Sequence, residues 1–208
     1  MGRMAQVRPY RGVEAGERLA ARRRRLLQAG LDLLGAESDP AELTVRAICK
    51  QSGLGVRYFY ESFTDKDEFV AAVFDWVIGD LATTTQAAVS ASPVQERSRA
   101  GMANLVRAIA DDARIGRFLI SSQTNSMLVR KRTETTALLA TLYGQNVAEA
   151  LGVEQTERSR ATAYFAVGGV VQMVSSWLAG AVALGHDQLV DQLALILDDL
   201  ADPELYRR

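Results

Sequence analysis

The sequence predicts an all-α protein, on three observations. Its 208 residues contain only four prolines, while Ala and Leu, both strong helix formers, recur from end to end. Apolar residues return at helical spacing in one segment after another. No alternation of apolar and polar residues lasts more than a few positions, as a half-buried strand would require.

The elements follow in order. Residues 1–13 are basic and aperiodic and read as a flexible arm. A first helix is predicted from Glu14 to Gly35, with Leu19, Leu26, Leu27, Leu33 and Leu34 on one face. Gly30 lies on that face and lets a neighbouring helix come close, and Gly35 suits a C-terminal cap. Asp39-Pro40 marks a loop. A short helix then runs from Thr44 to Ser52. Thr44 is its N-cap, Val45, Ile48 and Cys49 form its buried side, and Gly53 ends it. A second short helix runs from Gly55 or Val56 to Ser62. Thr64-Asp65-Lys66-Asp67-Glu68 is a strong helix start, with a cap oxygen and acids in the first turn, and its helix stops before Pro93. Further helices are predicted at 94–113, 115–122, 126–151, 156–185 and 187–200, punctuated by Gly152, Gly185 and Pro203. That makes about nine helices.

Composition narrows the function. The length suits one domain, or two small ones sharing a core. With 48% apolar and 24% charged residues, the chain reads as globular. A lone Cys49 excludes an internal disulfide framework and a CxxC zinc site. A lone His186, placed at a helix junction, argues against a His-rich metal centre or a Ser-His-Asp triad. No phosphate-cradling Gly loop and no nucleophile–base pair is visible. The sequence therefore predicts no enzyme, no metal and no cofactor.

The net charge of −1 hides an asymmetry: residues 1–66 carry +4 and residues 67–208 carry −5. The first 25 residues hold eight Arg and two Glu. A basic head on an acidic body fits a head that meets a polyanion; a solvated basic tail fits the charge equally well. No apolar stretch follows the basic start, so no secretory signal is predicted and the chain is expected in the cytoplasm.

From Ala161 to His186 no residue is charged. The stretch is long enough to span a bilayer. It also holds Thr162, Gln172, Ser175, Ser176 and four glycines, with no Lys or Arg cluster after it. It therefore reads as a helix buried on nearly all sides of a soluble bundle, with no membrane as partner.

Residues 44–63 read TVRAICKQSGLGVRYFYESF. Two short helices meeting at Gly53-Leu54-Gly55 form a helix-turn-helix layout, whose second helix enters the DNA major groove. Phe59 and Phe63, four apart, can pack on the first two helices. Arg57, Tyr58 and Glu61 then point outward, with Tyr60 toward one flank. Gly55 permits close backbone approach. Arg57 can donate two hydrogen bonds to guanine, and a Tyr hydroxyl can bond a phosphate. Thr44 and Lys66 begin the flanking helices, so two helix N-termini would clamp the DNA backbone. A helical hairpin that binds a protein partner through residues 43–66, without enzymatic activity, is the alternative.

The series Thr44, Ile48, Gly53-Leu54, Phe59-Tyr60, Phe63, Lys66, Phe69 resembles the N-terminal region of the tetracycline-repressor (TetR/AcrR) family. That family's pattern is T-x-x-x-I-x-x-x-x-G-[VL]-x-x-x-x-[LF]-Y-x-x-F-x-x-K-x-x-[LF]. The match covers about residues 18–75 and, as in the family, follows one amphipathic helix. The resemblance implies a three-helix DNA-binding head (14–65) and a ligand-binding, dimerising body (66–208). It places Thr44, Tyr60 and Lys66 on phosphates and Arg46, Val56, Arg57 and Tyr58 toward bases. It also implies a homodimeric repressor on a double-stranded DNA operator. Gly55 stands where the family often has Ser or Thr, and Ala47 where an acidic residue is frequent.

The charge-free helix 161–185 and the striped helix 187–200 (Leu189, Val190, Leu193, Ile196, Leu197, Leu200) suit a dimer interface through about 156–200, as a four-helix bundle. A two-fold dimer would set its recognition helices about 34–36 Å apart on a near-palindromic site. An apolar effector pocket is expected among Trp76, Phe118, Tyr143, Met173 and Trp177, with Asn104, Gln123, Asn146 and Gln172 as polar groups. Thr135 to Ala148 and 161–186 carry no charge, which favours an uncharged small-molecule effector; Arg107, Arg114 and Arg117 are the candidate partners of an acidic one. Ligand would tilt the helix that starts at Lys66 and so release DNA.

Overall fold

A computed structural model describes residues 11–36, 43–121, 126–202 and 205, without the side chains of residues 11–15, 121 and 126. The arm up to Tyr10, the Asp39-Pro40 loop, Gln123 and Pro203 lie outside the described residues. Within them the chain folds into helices alone: α1 (Arg11–Leu34), α2 (Val45–Ser52), α3 (Val56–Tyr60), α4 (Lys66–Ser90), α5 (Arg97–Asp111), α6 (Ala113–Ser121), α7 (Ser126–Leu151), α8 (Glu157–Leu178) and α9 (His186–Leu200).

Two apolar clusters hold them. The first joins Leu26, Leu27 and Leu31 of α1 to Ile48 and Cys49 of α2, Phe59 of α3 and Phe63. It continues through Phe69, Val70, Val73, Phe74 and Val77 of α4 to Phe118 of α6 and Leu128 of α7. Burying each large apolar side chain contributes about 1.5–3 kcal/mol. The second joins Val106 and Ile109 of α5 to Val174 of α8 and Leu189, Val190 and Leu193 of α9. Leu105, Ile115 and Leu119 pack against both, so α5 and α6 bridge the two ends of the molecule.

Glycine sets the approach of α1 to its neighbours. A Cβ at Gly30 would lie 2.6 Å from Val73 Cγ2 and 2.7 Å from Phe69 Cζ, so only hydrogen fits where α1 crosses α4. Gly35 closes α1, its N–H donating to Leu31 O at 2.9 Å. It has no positive φ, and a Cβ there would strike the carbonyl of Arg114. It is glycine because α6 lies against its backbone.

Several expectations change. The first helix begins three residues earlier, at Arg11, and Leu19 is 44% exposed rather than on the packed face. Ala29 and Leu31 are buried in its place. The helix expected at 94–113 opens with a 3-10 turn, Val94–Glu96, behind Pro93, before α5 starts at Arg97. α8 ends at Leu178, not at 185, because the chain turns through Gly180 at φ 76°.

α8 is also not buried on nearly all sides. Only 22% of its most apolar window is covered, and Tyr164 and Phe165 stand exposed. By length and composition alone it could cross a membrane. The stripe of α9 is spent inside its own chain. Leu189, Val190, Leu193 and Leu197 are buried, and α9 packs on α5. Leu195 remains outward, 58% exposed.

Candidate nucleic-acid interface

The helix-turn-helix is fixed by local chemistry first. Thr44 holds an extended backbone, and its Oγ1 accepts from Ala47 N–H at 3.1 Å, capping α2. Gly53 takes a left-handed φ of 66°, and Leu54 N–H donates back to Cys49 O at 3.1 Å, closing α2 as a Schellman turn. Gly55 then starts α3 with no side-chain cap, and a Cβ there would meet nothing. Asp65 Oδ1 accepts from Glu68 N–H at 2.8 Å to cap α4. Glu68 in turn accepts from Thr64 N–H and Thr64 Oγ1–H at 2.6 Å each. The Thr64 hydroxyl, above all, holds the Glu68 carboxyl below its ordinary range.

The aromatic wedge comes next. Phe59 is fully buried, 5.6 Å from Phe63 and 5.5 Å from Phe69, ring centre to ring centre. This stack seats α3 on α1 and α4. The outer side of α2 and α3 then carries the polar residues. Thr44, Arg46, Gly55, Val56, Arg57, Tyr60 and Lys66 are all exposed. Arg57 is 87% exposed, and its Nε donates to Glu61 Oε1 at 2.8 Å. Tyr60 stands edge-on against Phe59 with its remaining surface in solvent. Tyr58 is half-buried instead, with the Arg22 guanidinium 4.1 Å over its ring.

Two arginines serve this unit in a way the sequence pattern did not disclose. Arg25 Nη2 donates to Ser52 O at 2.8 Å, at the C-terminus of α2. Arg23 Nη1 donates to Ser62 O at 2.6 Å, just past α3, and lies 4.3 Å over the Phe63 ring. Cations at helix C-termini satisfy open carbonyls and the helix dipole. The run Arg22–Arg25 was the visible signal; its division into brackets and exposed charge was not. Cys49 is a packed core thiol whose pKa burial raises. His186 opens α9, with its ring 5.4 Å from that of Trp177.

Beyond the helix-turn-helix, α1 meets α6 at a charged joint. Arg114 pairs with Asp32 of α1 and with Asp112, and Gln51 Nε2 reaches Asp32 at 2.9 Å. Arg117 Nε donates to Gly35 O at 2.6 Å. Beside the joint lies a cleft of about 350 Å³ lined by Gln28, Leu31, Trp76, Val77, Asp80 and Ile115 together with these charges.

The expected pocket residues are not gathered there. Trp76 lines this cleft and Phe118 is buried against Phe74, while Asn104 donates to the hydroxyls of Thr84 and Thr85. Tyr143 OH donates to Leu197 O at 3.4 Å. Met173 and Trp177 belong to the second core, where Trp177 Nε1 donates to Leu184 O. Asn146 and Gln172 are exposed. Among the described residues no group of His, Cys, Asp and Glu could hold a metal.

No family model matches the chain, and no curated protein matches it either. Solved structures do. A TetR-family transcriptional regulator from Streptomyces coelicolor is 18% identical, with 88% of this chain and 86% of that one aligned at a TM-score of 0.68. A TetR-family regulator from Rhodococcus sp. is 14% identical over 88% of this chain and all of its own, at a TM-score of 0.71. The regulator FadR from Bacillus subtilis, solved in complex with stearoyl-CoA, is 16% identical over 86% and 97%, at a TM-score of 0.63. The fold of this chain is the TetR-regulator fold.

Proposed function

We propose that the chain is a TetR-family transcriptional regulator: a homodimeric repressor that binds a near-palindromic operator and leaves it when a small molecule enters the body. One observation carries this reading. The α2–α3 unit is braced from behind by three phenylalanines and two arginine brackets, while Arg46, Arg57, Tyr60 and Lys66 are left in solvent. A surface held rigid from behind and carrying exposed Arg and Lys side chains suits a rigid polyanion. Arg57 reads a base edge; Thr44, Tyr60 and Lys66 hold phosphates. Residues 14–65 act as the head and 66–208 as the body.

The dimer is supported by the outward face of α8. Gly168 and Gly169 cost the helix stability, and a Cβ on either would meet nothing inside the protomer. Ala161, Phe165 and Gln172 on the same helix are exposed and uncharged. A second copy of α8 lying on these glycines gives them a reason, with Leu195 of α9 at the edge. The four-helix arrangement therefore rests mainly on α8, since the α9 stripe faces α5.

Release works by population shift. A ligand that favours one head spacing reduces DNA affinity by its differential affinity for the two states; a hundredfold reduction needs about 2.7 kcal/mol of coupling. Fluorescence anisotropy with duplexes tiling the DNA upstream of the chain's own gene, at two salt concentrations, tests the reading. Tight, strongly salt-dependent binding to one near-palindromic duplex, with two chains per site, is expected. Binding that is absent, or indifferent to salt and sequence, overturns it in favour of a protein partner for residues 43–66.

A further inference from the structure

One half-buried cation of the body, Arg132 of α7, has no carboxylate partner among the described residues. α7 and α8 run antiparallel, with Gly144 of α7 against Ala163 of α8. Twelve residues along each helix, Arg132 faces Ser175, and Arg132 Nη2 donates to Ser175 Oγ at 2.7 Å. Ser175 is buried and gives its own proton to Val171 O at 2.8 Å. Among the described residues that is the whole of the guanidinium's hydrogen bonding, and no carboxylate pairs with it. Burial alone pulls its pKa down, with no opposing charge to lift it. The neighbouring Lys131 is compensated, its Nζ 2.7 Å from Asp75 of α4. A guanidinium carries five donors in a planar fork suited to a carboxylate, and an uncompensated charge in a seam is costly.

The surroundings set the rest of the ligand. Arg130, Lys131 and Glu134 flank Arg132 on α7; beyond Glu134 the seam is uncharged, from Thr135 to Ala148 on α7 and from Ala161 to Leu178 on α8. We infer that Arg132 and Ser175 form the head-group site of the effector, and that the effector is a lipophilic monocarboxylate: one carboxylate on the guanidinium, an apolar body along the α7–α8 seam. This rests on the regulator reading and alters one expectation drawn from the sequence, that the effector is uncharged. The position also suits regulation. The carboxylate would sit one residue from the Lys131–Asp75 strut, which ties α7 to α4, the helix whose first residue is Lys66.

The test uses the full chain with octanoate and 3-phenylpropanoate, each beside its uncharged alcohol, octanol and 3-phenylpropanol. Thermal shift and titration calorimetry read binding without DNA. At least one acid binds the wild type at least about tenfold more tightly than its alcohol, a charge-assisted contact being the difference. Arg132→Met loses that preference while keeping a cooperative melt, and Arg132→Lys restores part of it. If neither acid binds, if acid and alcohol bind alike, or if Arg132→Met binds the acid as the wild type does, the site is refuted. Anisotropy on the operator duplex is the separate arm. Acid binding without any duplex binding refutes the regulator and keeps the carboxylate site; duplex binding untouched by a bound acid keeps the regulator and overturns the inference, since the acid is then no effector.

Discussion

Arg114 of α6 and Asp32 of α1 form an ion pair 82 residues apart in the chain, and it joins the end of the molecule that carries α2 and α3 to α6. The same guanidinium holds Asp112, and the Arg114 carbonyl rests against Gly35. α1 is thus tied to α6 by charge at one residue and by backbone contact three residues later. α1 is therefore held both by α4, through the close packing at Gly30, and by α6, through this joint.

The joint predicts a pH dependence. The Arg114 hydrogen bond is the largest influence holding the Asp112 carboxyl below its ordinary value. A depressed folded-state pKa contributes stability above the unfolded value of about 3.9 and loses it as pH falls through the folded one. Arg114→Met removes that contribution. The variant is expected to be less stable than the wild type at pH 7 by about 1 kcal/mol, the scale for a partly exposed pair screened by solvent. The gap should close below about pH 4, as the wild type sheds the same interaction. Urea midpoints at pH 7 and pH 3 measure it. A gap of equal size at both values would mean that Arg114 stabilises by packing alone.

Gly30 and Gly79 make a matched pair. Both lie inside helices, but a Cβ at Gly30 collides with Val73 and Phe69 while one at Gly79 meets nothing. Gly30→Ala should cost about 1–3 kcal/mol by overpacking. Gly79→Ala should gain about 0.5–1 kcal/mol from helix propensity. Thermal melts of the two variants should move in opposite directions; a shared direction would show that α1 and α4 do not cross at Gly30.

The head was legible in the sequence because its signals are local. Thr44 caps the residue three ahead, Gly53 is the one left-handed turn between α2 and α3, and Phe59 and Phe63 share a helical face. The joint was not, because Asp32 and Arg114 look like ordinary surface charges until the chain brings them together. The same holds for Arg23 and Arg25, whose carbonyl partners lie 39 and 27 residues away. The α9 stripe was ambiguous for another reason. An apolar stripe reads alike whether it faces its own α5 or a second chain, and Leu189 and Leu193 face their own. Trp177, Met173 and Tyr143 share that ambiguity: a large side chain in a core has the same pattern as one in a pocket.

On DNA, Arg57 and Lys66 should separate cleanly. Arg57 is held to Glu61 by one exposed ion pair, a weak hold that a guanine edge can displace. Arg57→Ala is expected to cost about 1–3 kcal/mol on the operator and to relax preference at one base position. Lys66→Ala should weaken all duplexes alike and lower the salt slope by about one. Anisotropy titrations across salt and single-base operator variants distinguish them. Equal losses with unchanged base preference would remove Arg57 from the base-reading role.

The glycines of α8 give the last test, since they bear on the protomer and the dimer with opposite sign. Within one chain Gly168→Ala and Gly169→Ala add Cβ atoms into open space, so each should favour the helix by about 0.5–1 kcal/mol. Against a partner helix the same Cβ atoms force the backbones apart and reduce contact along the whole interface. The double variant is therefore expected to dissociate at higher protein concentration than the wild type in sedimentation, while its monomer melts higher. Phe165→Asp, at a position 69% exposed in the protomer, should leave the monomer fold intact and abolish the dimer by placing a charge in the seam. If the glycine variant stabilises the chain at every concentration and Phe165→Asp leaves the association unchanged, the partner does not lie on this face of α8.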